Sequence, residues 1–311
     1  MLKNMALKKI IIVSLSFVVL LIIYLFPSTN DEYNINTTLT YIEPETLPIY
    51  LVDQNNLVSR FEIIKTSETT LDNIKEIISN LTIDGTSSSH IPNNFKKIIP
   101  KNTKIINQSL SDGLLKINFT KELLNVDEDN EAKMIEAIIF SLTEITDIKQ
   151  IMIFVEGKNL IELPNSKKAL PNILDRTYGI NKVYELESIK NVSKITTYYI
   201  SKMEGFSYYT PVTTITNKEK EKVEIIIEQL KTAPTYQTNL VSYLATSTEL
   251  LNYEILENSV NLSFNNHILN LNDNEISEEV KYTIALSIRD TYNINETIFY
   301  VDNMLIDAFF L

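Results

Sequence analysis

The pattern of apolar residues predicts an α+β protein. It would hold two tandem copies of a small mixed-sheet domain, each running strand, strand, helix, hairpin, helix, strand, after one transmembrane helix. Three observations predict this. Residues 10–26 are apolar apart from Ser14 and Ser16. After residue 46, period-two and helical-face spacings alternate in a definite order. That order then occurs a second time, displaced by 145 to 149 residues, with like residues at like places.

The N-terminal run comes first. As a helix its 17 residues extend roughly 25 Å, at the short end for a bilayer core. Lys3, Lys8 and Lys9 precede it, and Asp31 and Glu32 follow it. The positive-inside rule therefore puts residues 1–9 in the cytoplasm and the rest outside the cell membrane, in a single pass. The run has no polar face, which argues against a core helix. No small-x-small cleavage site follows, so it reads as an uncleaved signal anchor. Residues 27–46 are polar and read as a stalk.

The first domain is assigned to residues 47–161. Residues 47–53 and 58–64 read as strands. Residues 68–82 carry Leu71, Ile74, Ile77, Ile78 and Leu81 on one helical face. Residues 104–110 alternate, and the turn Ser111-Asp112-Gly113 leads into Leu115, Ile117 and Phe119, a hairpin. Acidic residues 127–131 open a helix reaching 146, with Met134, Ala137, Ile138, Ser141, Leu142 and Ile145 inward. Residues 151–155 form the last strand, closed by Glu156-Gly157.

The second domain, residues 194–306, repeats the order. Tyr199 and Ile200 answer Tyr50 and Leu51 at an offset of 149, as Val223, Ile226, Ile227 and Leu230 answer Ile74, Ile77, Ile78 and Leu81. Val260, Leu262 and Phe264 answer Leu115, Ile117 and Phe119 at 145. Residues 287–303 answer 141–157 without a gap at 146, with Ser287 for Ser141 and Val301 for Val155. The connection, residues 162–193, holds Pro164 and Pro171 but also Ile173, Leu174 and Val183, so it reads as an ordered bridge. Residues 307–311 are a short tail.

Composition removes much chemistry. The 311 residues include no Cys, no Trp, two His and five Gly, with a net charge of −12. Without Cys there is no disulfide, thiolate nucleophile or Cys-ligated metal. The glycines, at 85, 113, 157, 179 and 205, lie too far apart for a phosphate-cradling loop. Beyond residue 26 the net charge is −15, which disfavours nucleic acid. Asn is abundant, and Arg occurs only three times, the mark of an AT-rich genome.

The remaining candidates are weak. Residues 127–131 imitate a calcium loop, but its sixth and twelfth places hold Ala132 and Ile138; acids there suit a helix N-terminus. His90 and His267 occupy non-equivalent loops and form neither a metal site nor an acid–base pair. Paired carboxylates for glycan hydrolysis are not singled out by any apolar surrounding. The reading is of no enzyme, with no catalytic, cofactor-binding or metal-ligating residues. Tyr198, Tyr199, Tyr208 and Tyr209 crowd the start of the second domain. They offer amphipathic surface for a partner, or else serve as core and sheet-face residues.

Taken together, these segments resemble the GerM domain of sporulation and spore germination proteins. The likeness rests on Ile49-Tyr50-Leu51, on the helix ending Ile77-Ile78-Ser79-Asn80-Leu81, and on Ile99-Pro100-Lys101-Asn102-Thr103-Lys104 before the hairpin. It continues through Ser111-Asp112-Gly113, Ser141-Leu142-Thr143 and Ile153-Phe154-Val155-Glu156-Gly157. The second unit is similar but degenerate, with Thr232-Ala233-Pro234 and Val301-Asp302-Asn303. The resemblance implies a fold like the ring-building motifs of sporulation and secretion assemblies, in an endospore-forming Firmicute. It implies a non-catalytic envelope scaffold or assembly factor, with protein partners in the envelope and self-association into a ring. The family's lipoprotein members carry a Cys that this chain lacks, so the helix at 10–26 would serve as anchor. The other reading is an extracytoplasmic module that holds cell-wall glycan or a small ligand.

Overall fold

The computed structural model describes residues 2–25, 44–87, 90–186, 188, 190–203, 205–232, 239–270 and 274–311. Helix α1, Leu2–Leu25, carries the apolar run. Its described side chains, Val13, Leu15, Phe17 and Leu20 among them, are exposed. Those of Ile10, Ile12 and Ile23 lie outside the described residues, as do Phe26 and the stalk up to residue 43. Among the described residues no helix is long and apolar enough to cross a membrane. Residues 1–43 form one unit, and Pro44 to Leu311 form a second compact one.

In that second unit the first repeat opens with the antiparallel strands β1, Thr46–Val52, and β2, Val58–Ile64. The Asp53 carboxylate closes their turn by accepting from the amides of Asn55 and Leu57. Helix α2, Thr70–Leu81, buries Ile74, Ile77, Ile78 and Leu81, and Thr69 caps it by accepting from the Asp72 amide. Strands β3, Ile105–Ser111, and β4, Leu114–Phe119, form the hairpin. Asp112 and Gly113 take φ of 50° and 79° there, the two left-handed positions that a two-residue hairpin turn demands. Helix α3, Glu128–Leu142, crosses back to β5, Gln150–Val155, which lies parallel to β4. The short β6, Lys158–Asn159, follows.

The bridge holds a helical turn at Arg176–Tyr178 and strand β7, Val183–Glu185. The second repeat then supplies β8, Ser193–Met203, β9, Phe206–Thr216, helix α4, Lys222–Thr232, and the short β10, Leu240–Val241. It continues with β11, Leu250–Ile255, β12, Ser259–Phe264, helix α5, Glu278–Tyr292, β13, Glu296–Val301, and β14, Met304–Phe310. The expected elements occur in the expected order in both copies; β6, β10 and β14 are additions, and β14 takes in most of the segment read as a C-terminal tail.

The sheets do not respect the boundary between copies. Two four-stranded sheets, β3-β4-β5-β6 and β11-β12-β13-β14, each belong to one repeat, but the third runs β1-β2-β9-β8-β10 with β7 on β9. Arg60 on β2 stands opposite Tyr209 on β9, so the opening hairpins of the two repeats join edge to edge. A solitary repeat would leave the backbone groups of β2 unpaired, and the junction covers that edge. Sequence order separates two domains at 161 and 194; the sheet makes them one body.

The bridge sews this junction. Glu131 on α3 accepts from the amides of Asn165 and Ser166, and Glu136 accepts from the Asn181 amide and from Lys182 Nζ. Gly179, at φ 80°, lies against Thr213, and a Cβ there would meet its Cγ2 at 3.0 Å. Asn181, itself left-handed at φ 47°, fills the gap where β2 and β9 diverge. Its Nδ2 donates to the carbonyls of Val58 (2.8 Å) and Pro211 (2.7 Å), and its Oδ1 accepts from the Val58 amide (2.9 Å). Truncation would orphan buried groups on both strands. Asn181→Ala is expected to lower the unfolding free energy by about 3 kcal/mol, read by urea denaturation. An unchanged midpoint would show that the strands hold without it.

Candidate functional site

A serine and an acid stand three residues apart in each repeat: Ser141 on α3 with Glu144 in the turn just after it, and Ser287 and Asp290 on α5. Each pair grips a tyrosine on the first strand of its own repeat. Ser141 Oγ accepts from the Tyr50 amide at 2.8 Å, and Tyr50 Oη donates to Glu144 Oε1 at 2.7 Å. Ser287 Oγ accepts from the Tyr198 amide at 2.9 Å, and Tyr198 Oη donates to Asp290 Oδ2 at 2.6 Å. The two phenol oxygens lie 2.8 Å apart, so the repeats meet like to like. A second such contact joins Ser59 Oγ on β2 to Thr210 Oγ1 on β9, also at 2.8 Å. Together they mark a pseudo-twofold axis through the junction.

Arginine completes the seam. Arg176 Nη2, from the bridge, reaches both phenol oxygens (3.1 and 3.0 Å), Glu144 Oε1 (3.2 Å) and Asp290 Oδ2 (2.9 Å). Its Nη1 donates to the Phe140 carbonyl and to Thr143 Oγ1. Arg289 on α5 crosses to the other repeat and holds Glu144 with both Nη atoms, at 3.0 and 2.8 Å, the bidentate geometry that favours arginine over lysine. Arg60 lies over the Tyr282 ring, 5.6 Å from its centroid, and pairs with Glu62 at 2.7 Å. All three arginines of the chain thus converge on the junction.

The protonation states follow from burial and charge. Burial works to raise the Glu144 carboxyl, but Arg289, Arg176 and Arg60 outweigh it and hold the group well below the usual carboxylate range. Burial pushes the Tyr50 and Tyr198 phenols up, helped by Glu144 for Tyr50 and by Asp290 for Tyr198. The seam therefore contains an ionised Glu144, charged guanidiniums and neutral phenols at neutral pH. General acid–base work needs a group poised near the operating pH, and the shifts at Glu144, Tyr50 and Tyr198 run away from it. What the arrangement does is mechanical: it locks two repeats in one orientation.

The four tyrosines read as partner surface point inward. Tyr198, Tyr199 and Tyr208 are buried and Tyr209 is half-buried. Tyr198 packs into the core of the first repeat, and Tyr199, on the opposite strand face, into that of the second. Tyr208 Oη donates to Asp53 of the other repeat at 3.0 Å. Tyr209 stacks at 4.7 Å on Tyr282; burial and that neighbour push its phenol up to about 12. Tyr198 and Tyr208 thus meet the other repeat of the same chain, while Tyr199 serves the core of its own. The true counterpart of Tyr50 is Tyr198, at an offset of 148, so the sequence pairing with Tyr199 slips by one residue. A slip of one in a strand exchanges its faces.

Sequence reasoning missed Arg60, Arg176, Arg289, Glu144 and Asp290. A signal existed: codon pressure leaves three arginines among 28 basic residues, and such survivors point to sites lysine cannot serve. Elsewhere, Asp127 precedes α3 in extended conformation without a side-chain capping bond. Beside it a cleft of about 690 Å³ holds Lys96, Lys97, Lys101 and Asp129. His90 and His267 are exposed. Among the described residues no group of three or more His, Asp or Glu could hold a metal ion.

Comparison with known proteins gives consistent matches. Residues 48–161 match the family model described as Germane, sporulation and spore germination. Over 249 residues, 78% of this chain and 67% of the relative, the sequence is 27% identical to the spore germination protein GerM of Bacillus subtilis (strain 168). The solved tandem GerMN domains of the sporulation protein GerM from Bacillus subtilis superpose with a TM-score of 0.76 at 24% identity. That match covers 84% of this chain and 92% of the other, and supports the fold.

Glu144 sets an acid limit. Its folded pKa lies below the ordinary carboxylate value near ~4.3. Its contribution is therefore complete above that value and lost as pH falls toward the folded one. Glu144→Gln strands Arg289 in the seam and is expected to cost about 3–5 kcal/mol at pH 7. It should also flatten the fall in stability below about pH 5. Parallel stability curves for parent and variant, followed by circular dichroism from pH 7 to pH 2, would refute this role.

Proposed function

The chain is a member of the GerM family of sporulation and spore germination proteins, and we propose that it acts as a non-catalytic envelope scaffold or assembly factor. It works through protein–protein contacts of its tandem domains, including self-association into a ring, and residues 10–26 anchor it in the cell membrane with the domains outside. The sporulation-related role goes with the family. The observation that carries the scaffold reading is the seam. It fixes the two repeats as one rigid frame, so surfaces at both ends keep a set spacing.

An open sheet edge supports the contact role. Among the described residues strand β14 pairs on one side only, with β13, and it exposes Met304, Leu305 and Phe310, the last at 74%. An apolar, unpaired edge is suited to strand addition by another chain. The anchor is supported by the apolar run and its flanking charges. The cleft beside Asp127 favours a second reading, a binding module for cell-wall glycan or a small ligand. A pull-down of the full chain on purified peptidoglycan separates the two.

The test of the scaffold reading is co-purification from sporulating cells. The full chain is expected to bring down a defined set of envelope proteins. A double variant, Leu305→Glu with Phe310→Glu, should lose that set and keep its circular dichroism spectrum. A deletion strain that sporulates and germinates normally would overturn the proposal.

A further inference from the structure

The bridge, β8, β9, α4 and α5 meet around a cavity of about 220 Å³, separate from the first-repeat cleft. Among the described residues its walls carry Arg176, Lys194 and Lys222 against a single acid, Asp290. That acid is already engaged by Arg176, Arg289 and Tyr198. Lys194 Nζ uses one proton on the Thr177 carbonyl at 2.8 Å. Lys222 lies at the first position of α4, and among the described residues no ion pair involves it. The lining is thus cationic in a chain whose net charge is −12.

Two buried polar atoms in the same wall lack a partner. Arg176 Nε and Thr291 Oγ1 are shielded from solvent and make no hydrogen bond. A guanidinium Nε can only donate, and a threonine hydroxyl can donate as well. Both call for an acceptor. At about 30 Å³ per water the cavity holds roughly seven waters, room for a compact anion and too little for a nucleotide.

We propose that this cavity binds a small oxyanion, a phosphate or carboxylate group, held by Arg176, Lys194, Lys222 and Thr291. The guanidinium, its Nη atoms held in the seam, supplies charge and the Nε donor, the ammoniums supply charge, and the threonine supplies a hydroxyl donor. Because the binding groups come from the bridge and from three elements of the second repeat, an occupied site pins the bridge to that repeat. A ligand that binds only the folded chain must also raise its melting temperature.

The test uses the full chain titrated with sodium phosphate, and separately with sodium acetate, against sodium chloride at matched ionic strength. Calorimetry and thermal melting supply the two readouts. The expected result is one saturable site with a parallel rise in Tm. Affinity should fall at least tenfold in Lys222→Gln and in Thr291→Val, and stay unchanged in Lys116→Gln, on the outer sheet face of the first repeat. Response to phosphate alone identifies a phosphate site, and an equal or stronger response to acetate identifies a carboxylate site. No saturable response to either anion would overturn the proposal and leave the cavity to water. So would binding that survives both cavity substitutions.

Discussion

A carboxylate moved out of water is costly unless charge and hydrogen bonds replace its hydration. Glu144 receives that replacement from both repeats and from the bridge. Arg289 reaches it from the second repeat, Arg176 from the bridge, and Tyr50 from its own sheet. Loss of either arginine would leave the buried acid with less countercharge than its burial requires. The relative placement of the repeats therefore follows from satisfying one acid. Such a pair contributes less to net stability than to uniqueness, because a shifted docking would break it.

The duplication explains why the seam sits where it does. Each repeat carries a tyrosine on its first strand and a serine and an acid at the C-terminal end of its last helix or just past it, and each opening hairpin has a bare edge. Laid edge to edge, the copies bring their tyrosines and their edges together about one axis. The symmetry is not complete. The position equivalent to Arg289 in the first repeat is Thr143, and Arg176 from the bridge donates to that threonine instead. The connection between the copies thus supplies the charge that the first copy lacks.

The same economy shapes the rest of the bridge. Acids at successive points along α3 capture backbone amides and a lysine from it, and Asn181 stands in for strand pairing between β2 and β9. A segment with two prolines and no long element of its own becomes ordered because neighbouring helices and strands satisfy its polar groups. The outer sheets, by contrast, end in strands that pair on one side only among the described residues.

Local pattern was enough to determine both copies. Alternation at 115, 117 and 119, the helical face at 74, 77, 78 and 81, and the Asp112-Gly113 turn each act within a few residues, so each was legible as written. The match of Ser141 to Ser287 was legible too, though not its purpose. What only the tertiary structure decided is how the copies meet. The faces of Tyr198 and Tyr199 depend on register against a distant helix, and a reading of spacing alone is blind to a slip of one. The convergence of Arg60, Arg176 and Arg289 on Glu144 spans separations of up to 145 residues. Electrostatic pairing at that range leaves no period in the chain, only the scarcity of the residue that performs it.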